Sequence, residues 1–116
     1  MTKHIEIGIK GEDLAAEWLQ KKGYKITHRN WRHRHFEIDI IARRGATLHF
    51  IEVKTRTSQL YGGPELSVNW KKMLRLKRAA VHYLHVHPGH SWIQFDIVAI
   101  TLKNKQPPLI ELFMDI

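Results

Sequence analysis

The chain contains no cysteine, which excludes disulfides, thiolate zinc sites and cysteine nucleophiles and is compatible with a reducing interior. No uninterrupted apolar run approaches the ~20 residues that span a bilayer, and the stretch from Met1 to Glu6 has no apolar core of signal-peptide length. A soluble, unprocessed cytoplasmic protein is the expectation. Internal repeats, low-complexity tracts and long Pro/Gly/Ser linkers are also missing, so the 116 residues are read as one domain, 1–116, large enough to bury a core without staples. Acidic residues are scarce: eleven Asp and Glu face nineteen Lys and Arg, leaving a formal charge of +8. That balance suits a polyanionic partner, the plain alternative being a solubilising surface.

What is present alternates between helical and strand periodicity. From Ile7 to Lys22, Leu14, Ala15, Trp18 and Leu19 recur at helical spacing, and Gly23 is placed to end the helix. Residues 24–31, 36–42 and 47–54 read as three strands, the last two joined as a hairpin through Arg43-Arg44-Gly45-Ala46. A loop with Tyr61-Gly62-Gly63-Pro64 precedes a second helix, Glu65 to His87, whose apolar stripe is Met73, Leu76, Ala80 and Leu84 and whose other faces are mostly basic. Trp92 to Leu102, the most apolar strand, is expected at the sheet centre, and Leu109 to Phe113 is a short final strand. The fold class is therefore α/β, a mixed sheet flanked by helices in the order αβββαββ.

Two acidic elements interrupt otherwise apolar strands. Alternation puts Glu37, Asp39 and Ile41 on one face, and Leu48, Phe50, Glu52 and Lys54 on one face of the next strand. If the hairpin pairs odd with even positions, Asp39 and Glu52 project to the same side. Carboxylates that close repel each other, and a hard divalent cation, best Mg²⁺, resolves the conflict. Lys54, two residues beyond Glu52, can then serve a water or the scissile phosphate, which makes the set a phosphodiesterase layout. In the first helix, Glu12 shares the inward face with Ala15, Ala16 and Leu19, and the small residues Gly8 and Gly11 allow close approach to the sheet. On position alone Glu12 is either a member of the metal cluster or a capping or surface glutamate. Arg34, Arg56 and Lys72 are the basic residues nearest the ligands, and Lys71, Lys72 and Arg75 form a basic cluster suited to phosphates.

The stretches Gly11-Glu12-Asp13-Leu14-Ala15-Ala16, Glu37-Ile38-Asp39-Ile40-Ile41-Ala42 and Phe50-Ile51-Glu52-Val53-Lys54-Thr55-Arg56 resemble the YraN family. Tyr61-Gly62, Lys72, Leu76, Ala79-Ala80 and Phe95-Asp96-Ile97-Val98 extend the resemblance over nearly the whole chain. That family is similar to archaeal Holliday junction resolvases and, through them, to the PD-(D/E)XK nucleases. The resemblance implies a restriction-endonuclease-like fold and a Mg²⁺- or Mn²⁺-dependent DNA endonuclease acting on branched or single-strand-containing DNA. By the same resemblance Asp39, Glu52 and the main-chain carbonyl of Val53 hold the metal, Glu12 assists metal or water, Lys54 orients or activates water, and Lys72 lies near the site. Symmetric cutting of a four-way junction would require two sites and hence a homodimer. Phe36 departs from the pattern, standing where the family usually has glycine, and this bears on how a strand reaches the site.

The remaining polar residues carry open alternatives. Nine histidines, among them His33, His35, His85, His87 and His90, invite a zinc-bound interaction domain, but solvated turns explain them as well. Trp31, Trp70 and Trp92 are either base-stacking or packing residues, and Asp96 either joins the site or is a buried structural carboxylate. The main rival to a nuclease is a nucleic-acid-binding module whose metal site is vestigial.

Overall fold

A computed structural model describes residues 3–57 and 70–115. Helix α1 (Lys3–Lys21) leads into strands β1 (Lys25–His33), β2 (Phe36–Arg44) and β3 (Thr47–Thr57), then helix α2 (Trp70–Val86) and strands β4 (Trp92–Leu102) and β5 (Leu109–Phe113). This is the expected αβββαββ order, with α1 beginning earlier than Ile7. The expected loop at Tyr61–Pro64 and the first turn of the second helix from Glu65 lie outside the described residues.

The five strands form one mixed sheet in the order β1-β2-β3-β4-β5, antiparallel except where β3 meets β4. A parallel pair cannot be closed by a tight turn, and α2 lies in the connection that joins β3 to β4. The middle strand is β3, not the 92–102 strand expected there. The run from Asp96 to Thr101 is buried throughout, and such continuity reports cover on both faces rather than the place of a strand in the sheet.

Each helix covers one face. Ala15, Ala16 and Leu19 of α1 pack with Tyr24 on Ile40, Ala42, Ile51, Val98 and Ile100. Met73, Leu76, Ala79, Ala80 and Tyr83 of α2 pack on Ile38, Ile41, Leu48, Phe50 and Ile97. The end of α1 is set by Gly23, whose φ of 93° lets its N–H donate to Gln20 O and the next N–H, from Tyr24, donate to Leu19 O. That pair of bonds satisfies two terminal carbonyls and turns Tyr24 into the core beside Leu19. No described helix is long and apolar enough to cross a membrane.

Gly11 fixes how closely α1 sits on β3. A β-carbon there would fall on Thr55 Oγ1 and lie 2.6 Å from Thr55 Cβ, so helix and strand meet main chain against side chain. Gly8, by contrast, faces open space. Gly11→Ala should therefore lower stability by roughly 1–3 kcal/mol despite the better helix propensity of alanine. Thermal melting should show Thr55→Ala restoring only part of the loss, because the Cβ contact remains; a Gly11→Ala protein as stable as the parent would show that the helix stands further off.

Candidate active site

The site is built where the β2–β3 hairpin comes apart. Its register runs from Arg44 opposite Thr47 to Ile40 opposite Ile51, pairing odd with even positions as the hairpin reading required. Beyond Ile40 the main-chain ladder opens, and the Asp39 carboxylate accepts the Val53 N–H at 2.9 Å. A side chain thus replaces a strand as hydrogen-bond acceptor, and the buried N–H is satisfied while the strands separate. Strict alternation fails at the same place. Ile38 packs under α2 and Ile40 under α1, so two even positions face opposite ways. On β1 the corresponding break is Asn30, a non-glycine residue with φ of 51°, between Arg29 paired with Ile40 and Trp31 paired with Ile38.

The consequence is that Asp39 borders two clefts. One, of about 270 Å³, is shared with Glu52, Lys72, Arg75, His35 and Phe36. The other, of about 740 Å³, is shared with Glu12, Asn30, Val53 and Thr55 beneath α1. Glu37 borders both. Burial pushes the Asp39 carboxyl up to about 6; the Val53 N–H opposes that rise, and the negative charges of Glu12, Glu52 and Glu37 add to it. Glu52, which borders the first cleft, has one carboxylate oxygen, Oε2, buried with no hydrogen-bond partner among the described residues.

These features fit a hard cation. A buried carboxylate oxygen without a donor and a second carboxyl held reluctant to ionise are both relieved by positive charge between them. Among the described residues no three carboxylate or imidazole groups already converge as a metal cage. Mg²⁺ keeps several waters and needs only one or two carboxylates, so Asp39, Glu52 and the Val53 carbonyl would suffice to hold it.

Glu12 turns inward as expected, with its side chain only 14% exposed, but it lies in the α1 cleft rather than beside Glu52. Its Oε1 accepts from Asn30 Nδ2 at 2.7 Å and from Arg29 at 3.4 Å. Arg29 also bonds Asp13 at 2.6 Å, and that bond is the leading cause of its raised pKa. The sequence marks Arg29 only as one of a basic cluster with Arg32 and Arg34 that suits phosphates, and does not mark Asn30, since nothing in its local pattern ties β1 to α1; the structure instead pairs Arg29 with Glu12 and Asp13.

Lys72 and Arg75 reach the Asp39–Glu52 cleft from α2. Lys54 and Arg56 follow Glu52 on β3, half-buried, and neither is among the described residues bordering the clefts. Arg34 is exposed at the β1–β2 turn with φ of 56°, and Lys71 is exposed in the first turn of α2. Asp96 is fully buried and accepts from Gln94 Nε2 and Asp115 N, both at 2.9 Å, while lying 2.6 Å from His49 Nδ1. It is a structural carboxylate that ties the chain after β5 to β4 and takes no part in the cleft. Trp31 packs edge-on against Tyr83 of the α2 core, at 5.4 Å between ring centres. Trp92 is exposed, and the Trp70 side chain lies outside the description.

The five-stranded mixed sheet with a helix on each face defines the class as α/β, in the order αβββαββ. The chain belongs to Uncharacterised protein family UPF0102, the YraN family, whose model matches residues 11–100. It is 42% identical over 113 residues to a UPF0102 protein of Rhodococcus jostii, covering 96% of this chain and 95% of that one. A UPF0102 protein of Christiangramia forsetii is 43% identical over 115 residues (99% and 96%), and one of Thermodesulfovibrio yellowstonii is 46% identical over 100 (86% and 89%).

The raised carboxyl has a thermodynamic signature. Because folding lifts the Asp39 pKa from the ordinary 3.8 to about 6, the folded state holds this proton more tightly than the unfolded chain. Its contribution to stability is therefore greatest below about pH 4 and is lost as pH rises through about 6. In metal-free buffer Asp39→Asn should melt above the parent at about pH 8, by up to roughly 3 kcal/mol, and the gap should close towards pH 4. A mutant less stable at both pH values would mark Asp39 as a structural acceptor for Val53 alone.

Proposed function

We propose that the protein is a Mg²⁺- or Mn²⁺-dependent DNA endonuclease, acting in the cytoplasm on branched or single-strand-containing DNA. The observation that carries this reading is the shared cleft in which Asp39 and Glu52, two carboxylates with an unmet need for positive charge, face Lys72 and Arg75. Acidic groups that want a cation beside basic groups that want an anion are what a phosphodiester and its metal together satisfy. Family membership supports the assignment of roles through the motif positions, and a homodimer would supply the second site that a four-way junction demands.

In this reading Asp39, Glu52 and the Val53 carbonyl hold the cation, which when bound supplies Lewis acidity to the phosphodiester. Lys72 and Arg75 receive the phosphate and stabilise the charge that grows on its oxygens. Lys54, on the Glu52 face of β3, orients the attacking water. Water adds to phosphorus, the bond to one sugar oxygen breaks, and that oxygen leaves with a proton. Glu12 acts at one remove, its charge bearing on Asp39 while Arg29 and Asn30 hold it in place. Arg34, Arg56 and Lys71 extend the basic surface along which the rest of the DNA lies.

One observation favours the rival, a nucleic-acid-binding module without cleavage: Lys54 is not among the described residues bordering the cleft. A panel of junction, flap, single-strand and duplex substrates with Mg²⁺ and Mn²⁺ separates the two. Metal-dependent cutting is expected, abolished in Asp39→Asn and Glu52→Gln and reduced about 10²- to 10⁴-fold in Lys54→Ala under single-turnover conditions. Binding that survives in all proteins without cutting in any would establish the module instead.

A further inference from the structure

Between β1, the β1–β2 turn and α2 runs a column of aromatic rings. His35 lies 4.3 Å from Phe36 at 34°, Phe36 lies 4.8 Å from His82 at 32°, His82 lies 5.0 Å from His33 at 26°, and His33 lies 6.1 Å from Trp31 at 13°. The His82–His33 and His33–Trp31 pairs are stacked, while the His35–Phe36 and Phe36–His82 pairs are tilted but in close ring contact. At its Trp31 end the column runs into the core, where that ring meets Tyr83. Its other end, His35, is exposed at the turn and borders the same cleft as Asp39, Glu52, Lys72 and Arg75, as does Phe36.

We infer that the His35 end of this column takes an unpaired nucleobase, stacked face to face, next to the phosphate held in the Asp39–Glu52 cleft. The inference rests on the DNA reading above and narrows it to substrates with a single-stranded nucleotide at the scissile position. Base faces inside a duplex are already covered by their neighbours, so a ring at the cleft mouth can be used only where a base has left its stack. The basic groups in the cleft, with Arg34 adjacent in the chain, supply the charge that tracks the backbone, and the rings supply the sequence-tolerant surface. Phe36 matters doubly, since it couples His35 to His82 through ring contacts on both sides. A glycine there would interrupt the column.

The test uses the full chain in metal-free buffer with a forked oligonucleotide carrying 2-aminopurine at single unpaired positions, and a blunt duplex as control. The parent should quench the probe at one position near the fork. His35→Ala should abolish that quenching and weaken single-strand and fork binding roughly 5- to 100-fold while leaving duplex affinity nearly unchanged, and His35→Phe should restore both. Equal losses on fork and duplex, or a His35→Phe protein no better than His35→Ala, would overturn the base site. Cleavage with Mn²⁺ is read in parallel: loss of quenching specificity with cutting retained refutes the base site alone. Quenching that follows the ring, with no cutting, refutes the nuclease reading and leaves the base site standing.

Discussion

The hydrogen bond from Val53 N to the Asp39 carboxylate is the interaction on which the rest depends. A hairpin that opens inside a sheet leaves buried main-chain groups without partners, at a cost of about 1–3 kcal/mol each. By accepting the Val53 N–H, Asp39 lets β2 and β3 part without that penalty, and the gap becomes the cleft. The same bond holds a carboxyl in a place where burial disfavours its charge, next to Glu52, Glu12 and Glu37. Structural and chemical demands on Asp39 therefore pull in opposite directions, and a bound cation would relieve the conflict.

The two helices bring different things to this gap. Through Gly11 against Thr55, α1 is held close enough for Glu12 to act on Asp39 from one side. From the other side α2 delivers Lys72 and Arg75, carried by the apolar stripe of Met73, Leu76 and Ala80 that seats the helix on the sheet. Glu12 does not sit beside Glu52 because Asp39 stands between the two clefts. Its carboxylate is tied instead to β1 through Asn30 and Arg29.

Much of this was legible in the sequence because it depends on local pattern. Helical spacing gave α1 and α2, Gly23 marked the α1 stop that its positive φ confirms, and the odd-with-even parity of the hairpin is the one its register shows, with Asp39 and Glu52 bordering one cleft just past its last pair. The break in alternation was not legible, since Asn30 adopts φ of 51° without the glycine that would signal it, and Ile38 and Ile40 look equivalent until the packing is seen. Strand order likewise followed from pairing rather than apolarity, which is why β3 and not β4 holds the middle. The histidines read as solvated turns or zinc ligands because ring contacts join residues far apart in the chain, His33 stacked on His82 and His28 tilted against His87.

If the Asp39–Glu52 cleft holds a divalent cation, calorimetric titration of Mn²⁺ into the 116-residue chain at about pH 7.5 should find about one Mn²⁺ per chain, affinity at least roughly tenfold weaker in both Asp39→Asn and Glu52→Gln, and a smaller loss in Glu12→Gln, whose carboxylate lies in the other cleft. Absence of binding, or equal affinity in the parent, Asp39→Asn and Glu52→Gln proteins, would contradict it.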